Sequence, residues 1–326
     1  MVLLFIDPKD ITTNSVLRWI IKQKINHEII NINSYDFIDI IHIDSKKISI
    51  SINNRIIDFF KIKSIYFSRS FIKMYTYSLN QNKEINDEGK RKSIINFLLQ
   101  NRFTREELIL YLIKKKNLKI YGEASVGRIN KIIVLNEAKK IGLKIPNTML
   151  TTKKTELITF FNLHENIIIK PYDLSYSFIN SEEKIWESTY TNVFPPDYLK
   201  KIPNEFPLTL FQEQIQKKFE IRSYIFNKQC YSVAIFSQNN IRTQVDYRHY
   251  DKSKPNREIP FTLNPNIKKK ILILFEKLNL NTGSVDLIMD GSNYYFLEIN
   301  PVGQFENVSI NGNYYLEKKI ATYLSI

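Results

Sequence analysis

The 326-residue chain carries 47 Lys and Arg against 33 Asp and Glu, a formal charge of +14 at pH 7, with 43% hydrophobic and 25% charged residues. That length suits two or three compact units, and the composition excludes a disordered or fibrous chain. With Cys230 the one cysteine, a disulfide framework and a thiolate metal cluster are excluded too, and no stretch has the apolar length of a membrane span.

Met1-Val-Leu-Leu-Phe-Ile-Asp7 has no basic leader and no small-residue cleavage site. It reads as a first strand rather than a signal peptide, so the cytoplasm is the expected compartment. Asp10-Ile-Thr-Thr13 signals a helix start, and an amphipathic stretch runs to about Lys24. His27–Asn31, Ile48–Ile52 and Ser64–Phe67 are strand-like in their β-branched and aromatic content. From about residue 87 to 116 the pattern is helical, and inside it Thr104-Arg-Glu-Glu107 has capping-box spacing, a hydroxyl to cap and a carboxylate to reach back. Residues 1–121 are expected to form a small α/β domain with a helical tail.

A second unit, 122–210, opens with a helical period over 128–141 through Ile129, Ile132, Ile133, Leu135 and Ala138, stopped by Gly142. Ile145-Pro146 forces an extended path. A strand at 149–151 leads into a helix ending near Phe161, and Ile167-Ile-Ile-Lys-Pro171 is a β-branched run ending in a lysine. A third unit, 211–326, opens around Thr209-Leu-Phe-Gln-Glu213. Residues 221–226 and 230–236 alternate about Asn227-Lys228 as a hairpin, and a helix covers about 265–278. Strands at 284–289 and 294–299 flank Asp290-Gly291, the strongest local hairpin signal in the chain.

That last hairpin carries the chemistry. Asp286 lies on one strand, with Glu298 and Asn300 on its neighbour. Side chains two apart on a strand share a face, and antiparallel pairing brings Asp286 beside them. Three oxygen donors converging from a hairpin suit a hard cation such as Mg²⁺, with phosphates completing its shell. A solvated acidic face is the ordinary explanation for Asp286 alone. It is weaker for Glu-Ile-Asn-Pro301 placed directly after Tyr-Tyr-Phe-Leu297.

Ser284-Val-Asp-Leu-Ile288 followed by Phe296-Leu-Glu-Ile-Asn-Pro301 resembles the metal-binding signature of the ATP-grasp superfamily. Other segments stand in the matching order. Asn130-Lys131 with Gly142-Leu-Lys-Ile-Pro-Asn-Thr148 resembles the start of the grasp fold, and Ile169-Lys170-Pro171 its small-domain phosphate lysine. Phe211-Gln-Glu-Gln-Ile215 resembles the adenine hinge, and Phe219-Glu-Ile-Arg222 the strand after it. Within the superfamily, Leu297-Glu-Ile-Asn-Pro-Val-Gly-Gln-Phe305, Asp246-Tyr-Arg248 and Tyr66-Phe-Ser-Arg69 look like the ribosomal-peptide maturases, namely the microviridin-type (graspetide) synthetases and the enzymes of grasp-with-spasm systems.

The resemblance implies an α/β (α+β) ATP-grasp fold, with an N-terminal α/β domain, a small lid domain and a C-terminal antiparallel-sheet domain. It implies ATP and Mg²⁺, two ions being expected, held by Asp286, Glu298 and Asn300. Lys131 and Lys170 would contact phosphates. Residues 211–215, Gln212, Glu213, Gln214 and Ile215 among them, would present backbone groups to adenine, and Glu220 would accept from the ribose hydroxyls. Arg222 and Arg248 would stabilise the transferring phosphoryl and the acyl phosphate, and Arg69 is a candidate substrate contact. One departure stands out: Lys170-Pro-Tyr-Asp-Leu-Ser-Tyr-Ser177 has no glycine where many ATP-grasp proteins carry a glycine-rich phosphate loop, and the hydroxyls of Ser175 and Ser177 are the substitutes on offer.

The expected reaction phosphorylates an Asp or Glu side chain of a ribosomally made precursor peptide, and a hydroxyl or amine of the same peptide then forms an ester or amide. The expected partner is that peptide, with a leader and an acidic core. The basic residues are not interleaved with aromatics in one stripe, so neither nucleic acid nor membrane is expected, and a homodimer stays open. Two other readings compete: a ligase for free amino acids or for glutamylation of a protein terminus, and a non-catalytic peptide-binding homologue. His27, His42, His164 and His249 show no metal-ligand spacing, and Cys230 reads as a small buried hydrophobe.

Overall fold

A computed structural model describes residues 1–326 except 33–37, 45–46, 68–86, 124–128, 165, 172–176, 181–184, 189–190, 250, 252, 302 and 326, with backbone alone at 177–180 and 185–188. Arg69 and Ser175 therefore lie outside the described residues, as does the Ser177 side chain. The chain divides into two compact units, Met1–Gly127 with Tyr315–Ile326, and Arg128–Tyr314.

The first unit is built on β1 (Val2–Ile6), buried along its whole length. It pairs in parallel with β2 (His27–Asn31), and with a later strand at Ser64–Phe67. Between β1 and β2, helix α1 (Ile11–Lys22) starts at Asp10, whose carboxylate accepts from Thr12 N at 3.1 Å. Three antiparallel strands follow, β3 (Ile38–Ile43), β4 (Ile48–Ile52) and β5 (Arg55–Asp58). Then come β6 (Ser64–Phe67), helix α2 (Glu88–Lys115) and β7 (Lys119–Tyr121), which completes a parallel sheet ordered β2-β1-β6-β7. One core holds Leu3, Phe5, Ile50, Ile65, Ile109 and Ile113. A helix at Leu316–Ser325 buries Leu316, Ile320, Ala321 and Leu324, and the Leu324 carbonyl accepts from Ser64 Oγ at 2.6 Å.

No helix begins at Thr104. Helix α2 runs unbroken through it, and the Thr104 hydroxyl donates back to the Gln100 carbonyl at 3.1 Å. The helix starts at Asp87, as the pattern from about residue 87 implies, and the Asp87 carboxylate accepts from Lys90 N at 2.9 Å. Capping-box spacing has no force where good helix formers such as Leu98, Leu99 and Gln100 already precede it.

The second unit opens with α3 (Lys131–Lys140), capped by Asn130 Oδ1, which accepts from Ile132 N and Ile133 N. Gly142, at φ +80°, ends it in the left-handed conformation that a side chain disfavours. Next come β8 (Thr148–Lys153), α4 (Lys154–Leu163), β9 (Ile167–Lys170), the hairpin β10 (Ser177–Asn180) and β11 (Ile185–Ser188), β12 (Asn192–Val193), α5 (Tyr198–Lys201) and β13 (Glu205–Glu213). Strands β12-β9-β13-β8 form an antiparallel sheet. One of its faces, with Ile167 and Phe211, packs on Leu157 of α4 and on Phe194. The other carries Thr148, Ile168, Lys170 and Gln212.

A five-stranded antiparallel sheet follows, ordered β16-β15-β14-β17-β18: β14 (Phe219–Phe226), β15 (Gln229–Phe236), β16 (Arg257–Phe261), β17 (Thr282–Met289) and β18 (Tyr294–Asn300). The turn at Asn227-Lys228 has positive φ at both residues, as the expected hairpin requires. Helix α6 (Pro265–Lys277) buries Ile271, Leu274 and Phe275, and α7 (Glu306–Asn311) buries Val308 and Ser309. In the last hairpin Asp290 accepts from Ser292 N and Asn293 N, both at 2.7 Å, giving a four-residue connection rather than a two-residue turn. Among the described residues no helix is long and apolar enough to cross a membrane.

Candidate active site

Inside the second unit, the polar face of the four-stranded sheet and one face of the five-stranded sheet line a common cleft. Its walls include Lys131, Lys170, Gln212, Glu213, Ile215, Glu220, Tyr247, Arg248, Asp286 and Glu298.

The acids come from the hairpin. Asp286 on β17 pairs directly with Glu298 on β18, yet the next pair is Leu287 with Phe296, so Leu297 is an extra, bulged residue. Phe296 and Leu287 point into the core, fully buried. Plain alternation from Phe296 would turn Glu298 into that core as well, and the bulge returns it to the cleft beside Asp286. Asn300 shares Glu298's face two residues on, pairs with Ser284, and is exposed beyond the lining of the cleft. A close approach is needed here: a Cβ on Gly303 would sit 1.7 Å from Ser284 Oγ.

Each acid faces a cation. Asp286 accepts from Arg222 Nη1 at 3.0 and 3.1 Å, across the β14–β17 pairing. The same nitrogen donates to Tyr247 Oη at 3.0 Å, and Nη2 donates to Ser284 Oγ at 3.3 Å. Burial raises the Asp286 carboxyl, Arg222 lowers it, Glu298 raises it again, and the net is upward. Glu298 Oε2 lies 3.1 Å from Lys131 Nζ, which also donates to the Pro171 carbonyl at 3.1 Å. Burial opposes the charged form of Glu298, but Lys131, Lys170 and Arg248 together hold its carboxyl below the usual range. Residue 144 bonds alongside β18, with Phe296 N donating to the Lys144 carbonyl at 2.8 Å, and this keeps the segment after α3 against the hairpin.

Lys170 ends β9 and donates to Gln212 Oε1 at 3.1 Å. Desolvation pushes its ammonium below the ordinary lysine value. Arg248 is fixed by Asp246, which takes Nε at 2.8 Å and Nη2 at 2.6 Å. That pairing outweighs the cost of burial and raises the guanidinium, while Asp246 is held low by it against its own desolvation. Tyr247 is pushed up by burial. Glu220 is bonded by Lys217 and by Ser237 Oγ, yet burial still raises it.

At the hinge, the N–H groups of Glu213 and Gln214 are taken by the carbonyls of Asn147 and Asn166 at 2.9 and 3.0 Å. Strand β13 ends at Glu213, and Ile215, beyond the sheet, continues the cleft lining begun by Gln212 and Glu213. The cleft thus gathers Lys131, Lys170, Gln212, Glu213, Ile215, Glu220, Arg248, Asp286 and Glu298. Gln214 and Asn300 lie outside the lining, and Arg222 sits behind Asp286. Sequence reading passed over Tyr247, Thr148 and Lys217. The first two lie within motifs already noted, without a role of their own; one lysine in a lysine-rich segment carries no comparable signal. No three His, Cys, Asp or Glu side chains among the described residues are grouped as a metal site. Cys230 is half-buried on β15.

Solved structures align with the whole chain. A RiPP-associated ATP-grasp ligase from Chryseobacterium gregarium, in complex with ADP and a leader and core peptide, is 22% identical with a TM-score of 0.74, over 99% of this chain and 95% of that one. Macrocyclase MdnC from Microcystis aeruginosa MRC, bound with precursor peptide MdnA, is 20% identical with a TM-score of 0.70, over 99% and 98%. This chain has the ATP-grasp fold. The ATP-grasp ligase PsnB complexed with a minimal precursor, Mg and ADP extends the likeness at 15% identity, TM-score 0.69, over 99% and 96%. No family model and no curated protein matches the sequence.

The donor set suits what an ATP-grasp fold implies. Two carboxylates that meet in register are hard enough donors to suit a divalent cation, and Lys131, Lys170 and Arg248 beside them carry a charge that would suit phosphates.

Proposed function

We propose that this protein is an ATP-dependent carboxylate–amine or carboxylate–hydroxyl ligase that phosphorylates Asp or Glu side chains of a ribosomally made precursor peptide and closes ester or amide cross-links within it. The observation that carries the reading is the pairing of Asp286 with Glu298 across a hairpin, facing three cations in one cleft. The structural neighbours described with bound ADP and precursor peptides support it.

Asp286 and Glu298 would hold magnesium, with Asn300 at the outer end of the same face; the ion, when bound, offsets charge on phosphate oxygens. Lys131 and Lys170 would hold phosphates, the segment from Glu213 to Ile215 adenine, and Glu220 the ribose. Arg248, fixed by Asp246, is placed for charge that develops on the transferring phosphoryl group. Arg222 fixes Asp286. A peptide carboxylate attacks the terminal phosphorus of ATP, forming an acyl phosphate and ADP. A hydroxyl or amine of the same peptide then attacks the acyl carbon, and phosphate leaves. Phosphorylation supplies the leaving group that a bare carboxylate lacks.

The test is incubation with Mg²⁺, ATP and a precursor peptide encoded beside this protein, read by mass spectrometry. Loss of the mass of one or more waters with ADP release, both abolished by Glu298→Gln, is expected. ADP release with free amino acids or glutamate, and an unchanged peptide, would move the assignment to a small-substrate ligase. Peptide binding without either product would make it a non-catalytic homologue.

A further inference from the structure

We propose that Gln212 is a positioning residue, its side-chain amide locked by Thr148 so as to hold the Lys170 ammonium in place for a nucleotide phosphate. The inference rests on the reading of Lys170 as a phosphate contact given above.

Gln212 is 1% exposed on the central strand β13, directly opposite Thr148 on one side and Ile168 on the other. A buried carboxamide needs partners for both its ends. The Thr148 hydroxyl donates to the Pro146 carbonyl at 2.8 Å. A carbonyl only accepts, so the hydroxyl hydrogen is committed there and Thr148 Oγ1 is left to accept. Gln212 Nε2 is its donor at 2.9 Å. The amide oxygen is thereby turned toward Lys170 Nζ at 3.1 Å. Flipping the amide would set oxygen against oxygen at Thr148 and N–H against ammonium at Lys170, so one orientation survives.

The ammonium needs this restraint. It ends a flexible four-carbon chain, repelled by Lys131 and Arg248 and drawn by Glu298. The amide oxygen holds it on the four-stranded sheet's side of the cleft, away from pairing with Glu298. A glutamine does this without cancelling the charge, whereas a glutamate would grip harder and neutralise what the phosphate is to meet.

Binding of ADP and of adenosine to the full-length protein, by competition with a fluorescent nucleotide, separates positioning from a structural role, because adenosine has no phosphate. Gln212→Met is expected to weaken ADP roughly tenfold, the scale of one hydrogen bond to a charged group, with adenosine unchanged. Gln212→Glu weakens ADP at least as much, Thr148→Val weakens it in part, and Thr148→Ser restores it. In a Lys170→Met background, Gln212→Met has no further effect. ADP and adenosine weakening together, or a further loss in that background, would overturn the proposal. Lys170→Met leaving the ADP-to-adenosine ratio unchanged would overturn the phosphate reading of Lys170 itself, and the inference with it.

Discussion

Arg222 and Asp286 stand opposite each other on adjacent strands with side chains 15% and 16% exposed, joined by bonds of 3.0 and 3.1 Å. Arg222→Met leaves a carboxylate in a place where burial already opposes its charge and Glu298 repels it. Removing one partner of a buried pair costs about 3–5 kcal/mol. For a unit the size of Arg128–Tyr314, each kcal/mol lowers the melting temperature by about 2–4 °C, so a fall of roughly 6–20 °C is expected at pH 7. A double variant, Arg222→Met with Asp286→Leu, leaves no charge unpaired and recovers most of that loss. Calorimetry of the full chain reads both. The pH dependence has a definite sign. A carboxyl whose folded pKa lies above its unfolded value withdraws stability as pH rises between the two, and returns it as pH falls. With the guanidinium gone Asp286 moves further up, so the Arg222→Met deficit shrinks from pH 7 toward pH 5. A deficit of about 1 kcal/mol or less, the range of a solvated pair, would refute the argument, as would a double variant no more stable than the single one.

Burial pushes the Cys230 thiol up to about 11, with Lys268 opposing; its alkylation at pH 8 should run roughly 100-fold slower than that of an unperturbed thiol and climb until pH passes the folded pKa, whereas ordinary kinetics would contradict this. Gly303→Ala drives a methyl into Ser284, itself bonded to Arg222. It should cost about 1–3 kcal/mol of overpacking, and a neutral effect in thermal unfolding would show that the two segments separate freely. Asp87→Ala should lower helix content at the start of α2 by loss of a cap worth about 1 kcal/mol, while Thr104→Ala leaves circular dichroism unchanged; the reverse pattern would make the Thr104 spacing a true cap.

Residues that speak through local chemistry were readable from the sequence. Gly142 ends α3, Asn227-Lys228 turns its hairpin, and Asp290-Gly291 marks the one that carries the acids, whereas Asn130, the cap, falls inside the helical period over 128–141. Adjacency of Asp286 to Glu298 was legible from strand pairing, but the reason it works was not. Only the bulge at Leu297 keeps Phe296 in the core and Glu298 out of it, and a one-residue irregularity has no signature in an apolar run. Strands β5 and β7 also escaped notice, being short and held by tertiary partners rather than by pattern. Contacts made at long sequence separation, such as Gln212 with Lys170 or Arg222 with Tyr247, appear once the sheets are assembled.

The helix at Leu316–Ser325 belongs with the first unit, although Arg128–Tyr314 lies between them in the chain. Synthesis therefore runs in an order that vectorial folding does not favour. Domains ordinarily fold as units, N-terminal first, as they emerge. Here the parallel sheet around β1 waits for a packing partner that is translated only after the whole second unit. Until then α1 and the Ser64 hydroxyl lack the surface and the carbonyl that cover them in the finished protein. Val16 and Ile20 of α1 are buried in the finished protein, and the helix that packs on α1 is available only once residues 316–325 have been translated, so completion of the first unit is timed by the end of synthesis.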